Sequence, residues 1–220
     1  MAGRLGMITP AGRADAGAFL ARLVRLDPAA LVRVRPVGGA VAELWAMLPF
    51  AVLVVRRVAA DATTDSTVAA TELLATLSDE SPPSIRRRDE AWRWPLPPAG
   101  SEIVERIPAA EIRSVATAAE RTLRVAVTEG LGGRRVGERV VRDALLDHVA
   151  IVATGQDGAR AEVPLRLVQA LVRMGFVQGI DDLVTESEMS VTVRIARGWV
   201  GLDGSYGSAW YRGVSPLRIA

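Results

Sequence analysis

Apolar residues recur with two different periods along the chain, and the switches between them outline its elements. From Ala14 to Leu26, Phe19, Leu20, Leu23, Val24 and Leu26 cluster on one side while Arg22 and Arg25 lie opposite. That spacing predicts an amphipathic helix, stopped by Asp27-Pro28. From Leu31 to Arg35 the period falls to two. Val32 and Val34 face one way and Arg33 and Arg35 the other, as on a half-buried strand. Gly38-Gly39 offers a hairpin turn, and two further strands are expected at 41–48 and 51–58, interrupted by Pro49. Ala51 to Val55 is apolar without alternation, which predicts a strand buried on both faces. A second helix is expected near Thr67 to Leu77, with Asp65 or Ser66 as its N-cap.

The pattern resumes after a proline-rich interval. Pro108 suits the first turn of a long helix running to about Thr128. Ile112, Val115, Ala116, Ala119, Leu123 and Val127 form its apolar stripe. Gly130-Leu-Gly-Gly133 ends it, and another helix is expected from Val136 to about His148. The Asp157-Gly158 pair between Ile151 and Val163 predicts a β-hairpin. Pro164 to Phe176 reads as a helix with Leu167, Val168, Leu171 and Val172 inward and Arg166, Gln169 and Arg173 outward. Asp181 to Glu188 reads as a solvated acidic loop, Val191 to Ile195 as a strand, and the glycine-rich stretch 198–213 as a segment that doubles back. Leu23-Val-Arg-Leu26 and Leu171-Val-Arg-Met174 both end helices that precede strands, a faint internal echo.

These elements predict an α+β fold of two small subdomains, each with helices packed on short, mostly antiparallel strands. The expected boundaries are 1–80 and 107–220. A Pro/Arg/Trp-rich linker over 81–106 carries Pro82, Pro83, Pro95, Pro97 and Pro98.

Composition narrows the chemistry. All 27 basic residues are arginine; lysine, cysteine and asparagine are absent, and His148 is the single histidine. No lysine can form a Schiff base or serve a P-loop, and no thiolate can attack a carbonyl or hold zinc. The bias against lysine and asparagine is that of a GC-rich bacterial genome. The pI of about 9.8 accompanies a net charge of only +2, because arginine never titrates and few other groups do. The middle third, 81–140, carries 11 arginines against 8 acids and is the place to expect any basic patch. The stretch from Met1 to Pro10 has no apolar run of signal-peptide length, and the stretch from Leu44 to Val55 falls short of the ~20 residues a membrane helix needs. A cytoplasmic protein with no membrane partner is expected.

Two segments carry candidate binding chemistry. In Arg86-Arg-Arg-Asp-Glu-Ala-Trp-Arg-Trp94, guanidiniums interleave with indoles. Such a segment can dock in a groove of a protein partner through Trp92 and Trp94. Alternatively, it can contact nucleic acid through Arg86, Arg87, Arg88 and Arg93, supported by Arg134, Arg135 and Arg139. The segment from Gly198 to Tyr211 contains Trp199, Tyr206, Trp210 and Tyr211 among glycines, aromatics of the kind that anchor interfaces.

The catalytic patterns do not assemble. Neither Ser205 nor Ser208 sits in Gly-x-Ser-x-Gly, and Arg135 takes the third glycine's place in the Gly130 loop. Asp143 and Asp147 share a helix face from which His148 diverges by about 100°; His148 suits a helix C-terminus. The acids from Asp181 lack calcium-loop order. The expectation is therefore a non-catalytic interaction or regulatory protein, without cofactor or metal. Its partner would be a protein or a second copy, with nucleic-acid binding as the alternative.

Overall fold

A computed structural model describes residues 8–78, 85–129, 137–156, 158–177 and 189–213. The chain divides into two compact units, 1–96 and 97–220. Both join helices to antiparallel strands, so the α+β expectation holds.

In the first unit, α1 (Pro10–Leu26) precedes a meander of β1 (Leu31–Gly38), β2 (Val41–Met47) and β3 (Leu53–Ala59). β4 (Ser66–Ala69) then returns antiparallel to β1, and α2 (Ala70–Ser78) follows directly. The strand order is β4-β1-β2-β3. One face packs on α1 through Val32, Val34, Leu44, Val54 and Val58, all buried. The same face carries Arg56, ion-paired to Asp15 of α1. α1 begins at Pro10, earlier than the apolar period suggests, because proline is pre-set for a first helical turn. It approaches β3 so closely that a Cβ on Gly12 would lie 2.2 Å from the Ala59 carbonyl oxygen. Asp27 ends it: its N–H donates to the Leu23 carbonyl and its carboxylate accepts from Ala29.

The expected helix start at Asp65-Ser66 is corrected. Ser66 to Ala69 is an edge strand, rich in β-branched residues. Asp65 accepts a two-pronged bond from Arg33 on β1, at 2.8 and 2.7 Å, instead of capping a helix.

In the second unit, β5 (Glu102–Pro108) leads straight into α3 (Ala109–Glu129); α4 (Glu138–Asp147) follows. The hairpin of β6 (Val149–Thr154) and β7 (Arg160–Pro164) runs straight into α5 (Leu165–Arg173). The chain ends its described course in a meander of β8 (Ser190–Ala196), β9 (Trp199–Gly204) and β10 (Gly207–Arg212). The strand order is β10-β9-β8-β5. β5 lies where the linker was placed; residues 85–96 of that interval go with the first unit.

α5 is the pivot of this unit. It packs on β9 and β10 on one side and against α3 and α4 on the other. The outward face expected for it holds at Arg173, which is exposed, and is corrected at Gln169 and in part at Arg166. Gln169 is 5% exposed and donates through Nε2 to the Ala116 carbonyl of α3 at 3.3 Å. Arg166 is ion-paired to Asp147 of α4, with its guanidinium 4.9 Å from the Tyr211 ring centre. Gln169 and Arg166 are polar because they face a carbonyl of α3 and an acid of α4. The echo noted in sequence matches a repeated connection, a helix followed by a three-stranded meander, in α1-β1-β2-β3 and α5-β8-β9-β10.

Candidate functional site

The arginine–tryptophan segment is a strap laid on the first unit. Thr67 on the edge strand β4 donates its N–H to Asp89 Oδ1 at 2.7 Å, and its carbonyl accepts the Arg88 N–H at 2.7 Å. The segment therefore occupies hydrogen-bonding groups that an edge strand would otherwise offer to another chain. A single 3-10 turn at Asp89–Ala91 then redirects the backbone into an extended course at Trp92.

Two of the segment's four arginine charges, those of Arg87 and Arg88, are spent locally. Arg87 pairs with Asp89 at 2.6 Å and also donates to the Asp65 carbonyl. Arg88 pairs with Glu72 of α2 at 2.7 Å, while the Arg86 backbone N–H donates to the other Glu72 oxygen at 3.1 Å. These bonds, the Arg88 guanidinium first, hold the Glu72 carboxyl below the usual carboxylate range. Burial would push the Asp89 carboxyl up. The Thr67 N–H and the Arg87 guanidinium together outweigh it and hold that group low as well. Asp65 in turn raises the Arg33 guanidinium above its ordinary value.

Trp92 and Trp94 emerge from this anchored turn. Their rings meet edge to face, with centres 5.2 Å apart and planes at 83°. Trp92 Nε1 donates to the Trp94 carbonyl at 2.6 Å, which closes the pair on itself. Arg33 lies 5.9 Å from the Trp92 ring centre, a cation–π contact that fixes the pair to the sheet face opposite α1. On that face Thr67, Arg33, Trp45 and Val55 form one cross-strand row, and Arg35, Glu43 and Arg57 a second. Glu43 is buried: it accepts from Trp45 Nε1 at 2.9 Å and from the Arg57 fork at 3.1–3.2 Å. Both tryptophans remain half-exposed, and Arg93 between them is exposed. Arg33 was missed in this role from sequence; its only local signal is the alternation that sets it opposite the core face.

The other aromatic segment is placed differently. Trp199 and Trp210 are 7% and 8% exposed and are largely buried. Trp210 sits opposite Gly201 in the β9–β10 register, and a Cβ on Gly201 would fall 2.6 Å from its ring. The indole roofs a glycine. Tyr206 lies in the β9–β10 turn and donates its N–H to the Phe176 carbonyl; Tyr211 lies beneath Arg166.

Arg139 is on α4 in the second unit and pairs with Asp143 one turn on, at 3.9 Å. Arg134, Arg135, the Gly130 loop and the acids from Asp181 to Glu188 fall outside the described residues. Asp143 and Asp147 are bound to different arginines, and His148 is the residue that ends α4, donating its N–H to Leu145. Among the described residues no three His, Cys, Asp or Glu side chains are grouped to hold a metal, and no helix is long and apolar enough to cross a membrane.

Residues 96–216 match a domain of unknown function, DUF8185, and residues 1–94 match a second, DUF8010. The first match spans more than half of the sequence. The chain belongs to the DUF8185 family. The two matches divide it at the place where the two structural units divide. No curated protein matches the sequence.

Among solved structures, family membership is joined by a fold likeness to bacterial sliding clamps. The DNA polymerase III beta subunit of Thermotoga maritima aligns with a TM-score of 0.55 at 11% identity, over 93% of this chain and 64% of that one. The beta subunit of Pseudomonas aeruginosa gives 0.54 at 13%, over 93% and 64%. The sliding clamp of Caulobacter crescentus gives 0.53 at 9%, over 94% and 65%. This chain thus spans less than two-thirds of those clamps' own length. At such identities the likeness establishes a sliding-clamp-like fold.

Proposed function

We propose that this DUF8185 protein is a non-catalytic binding protein on a sliding-clamp-like fold, and that the Trp92–Trp94 ledge on its first unit receives a protein partner. The observation that carries this reading is the ledge itself: two half-exposed indoles held by a mutual contact, a backbone hydrogen bond and an arginine on a sheet. Aromatic side chains pre-ordered in this way contribute large contact area at little further entropic cost. The test is affinity capture from extracts of the source cell, comparing the wild type with Trp92→Ala/Trp94→Ala. The partner should be retained by the first and lost by the second. Identical retention by both would refute the ledge.

A second reading is contact with DNA, and what favours it is the fold shared with proteins described as DNA polymerase sliding clamps. The local electrostatics weigh against it. Arg87 and Arg88 are already paired with carboxylates, and a phosphate would have to displace them. Fluorescence anisotropy with a labelled DNA duplex at low salt should give weak or no binding. Tight binding that falls steeply with salt would reverse the ranking.

A further inference from the structure

The charges around the tryptophan ledge do not balance. Four arginines of the sheet face and strap are paired with carboxylates: Arg33 with Asp65, Arg57 with Glu43, Arg87 with Asp89 and Arg88 with Glu72. Among the described residues of this face and strap, Arg35, Arg86 and Arg93 have no ion pair, and Glu90 is the one acid without one. The surplus is positive, and two of the three unpaired arginines are set around the indoles. Arg93 is exposed between Trp92 and Trp94 in the chain. Arg35 is exposed on β1, two residues and about 7 Å along the same face from the Arg33 that holds Trp92. Arg57 lies in the row of Arg35, across β2 and about 10 Å from it. It donates Nε and Nη2 to Glu43, yet its side chain is 74% exposed, which leaves N–H groups for a second acceptor. A lone surface arginine is ordinary; here such arginines adjoin a pair of indoles already fixed in place.

We propose that the ledge takes an acidic peptide: a segment of a partner protein with an apolar side chain to lie on Trp92 and Trp94 and carboxylates to meet Arg35, Arg57 and Arg93. The inference rests on the ledge being a partner site and adds the partner's chemistry. A guanidinium donates two parallel N–H bonds to a carboxylate, and such a pair gains strength beside aromatic surface that excludes water. An extended peptide covers about 10 Å in three residues, so acids at that spacing reach Arg35 and Arg57 together. A basic segment would meet these guanidiniums uncompensated. A nucleic-acid backbone fits less well than a peptide. It carries a phosphate at every nucleotide and would press some of them on Glu90 and on the carboxylates of the existing pairs. A short peptide can place its acids at the arginines alone, and that difference sets the preference.

The experiment is fluorescence anisotropy of the purified full chain at low salt with three labelled probes. They are a short peptide of glutamate, phenylalanine and glycine, the same peptide with lysine in place of glutamate, and a DNA duplex. The glutamate peptide should bind, less tightly as salt rises, and the other two should not. Arg35→Glu/Arg93→Glu should weaken that binding about tenfold or more, with an unchanged far-ultraviolet circular dichroism spectrum, because neither side chain has an ion pair to lose. Either single substitution reads the same effect at smaller size should the double variant fail to fold. Trp92→Ala/Trp94→Ala should lose the glutamate peptide as well. A glutamate peptide held no better than the lysine peptide, or held equally by the double arginine variant, overturns the acidic preference and leaves the ledge itself to the capture experiment. Binding that survives loss of both tryptophans overturns the ledge. A duplex bound more tightly than the glutamate peptide overturns the proposal in favour of nucleic acid.

Discussion

The two units use similar parts to opposite ends. In the first, α1 is buried along its length, from Gly12 and Ala16 to Phe19, Leu20 and Leu23, and the edge strand β4 is closed by the strap. In the second, α5 is buried on two sides, yet α3 leaves its core after Ala116 and regains it only at Ala126. Both α1 and α3 show an apolar stripe in sequence. The stripe states which face of a helix seeks burial; it does not state whether the same chain supplies the cover. Where cover is supplied, backbones can come very close. A Cβ on Gly204 would lie 2.3 Å from the Phe176 carbonyl oxygen, much as one on Gly12 would collide with Ala59.

Substitutions along the stripes break this contrast most directly. Leu171→Ala, at a fully buried site on α5, should cost about 4 kcal/mol in urea unfolding. Leu123→Ala, on the uncovered half of α3, should cost less than about 1 kcal/mol at concentrations where the chain is monomeric. Comparable losses at the two sites would mean that the distal half of α3 is as well packed as α5. Gly12→Ala should destabilise by about 3 kcal/mol, because the added methyl meets backbone rather than a movable side chain. A thermal shift of less than a degree or two would show that α1 can slide away from β3.

The smallest effect is electrostatic and concerns the strap. Glu72 and Asp89 are held below the ordinary carboxylate range in the folded chain. The unfolded chain therefore binds more protons near pH 4, and stability from these pairs is complete above that range. It is lost as pH falls through the folded values. Arg88→Gln should accordingly be slightly less stable than the wild type at pH 7, by a few tenths of a kcal/mol for so exposed a pair. The difference should close on acidification below about pH 4. A gap that persists in acid would show that Arg88 holds the strap by something other than its ion pair with Glu72.

Elements with a long, uninterrupted period were legible in the sequence: α1, the β1–β3 meander, α3 and the β6–β7 hairpin all lie where the pattern puts them. β4 was not, because four residues carry too little period and their strand state depends on β1, over thirty residues upstream. β5 was hidden by an irregular register between Ile103 and Glu105, which puts Val104 and Ile107 inside and breaks the alternation. Its neighbouring prolines completed the disguise. Trp92 and Trp94 could be picked out as unusual, but Trp199 and Trp210 looked equally available. What separates the pairs is long-range: Arg33 and Thr67 hold the first at the surface, whereas the β9–β10 register folds Trp210 over Gly201.

The hydrogen bonds that Thr67 makes to Arg88 and Asp89 also set a clock on biosynthesis. At ordinary translation speeds of about 5–20 residues per second, the guard of β4 is polymerised roughly 1–4 s after the strand it protects. The same interval separates their emergence from the ribosome, and through it a nascent chain holds the donor and acceptor of Thr67 open to neighbours on the same message. Slow emergence of the segment between positions 69 and 88 would favour misassembly, and fast emergence would suppress it.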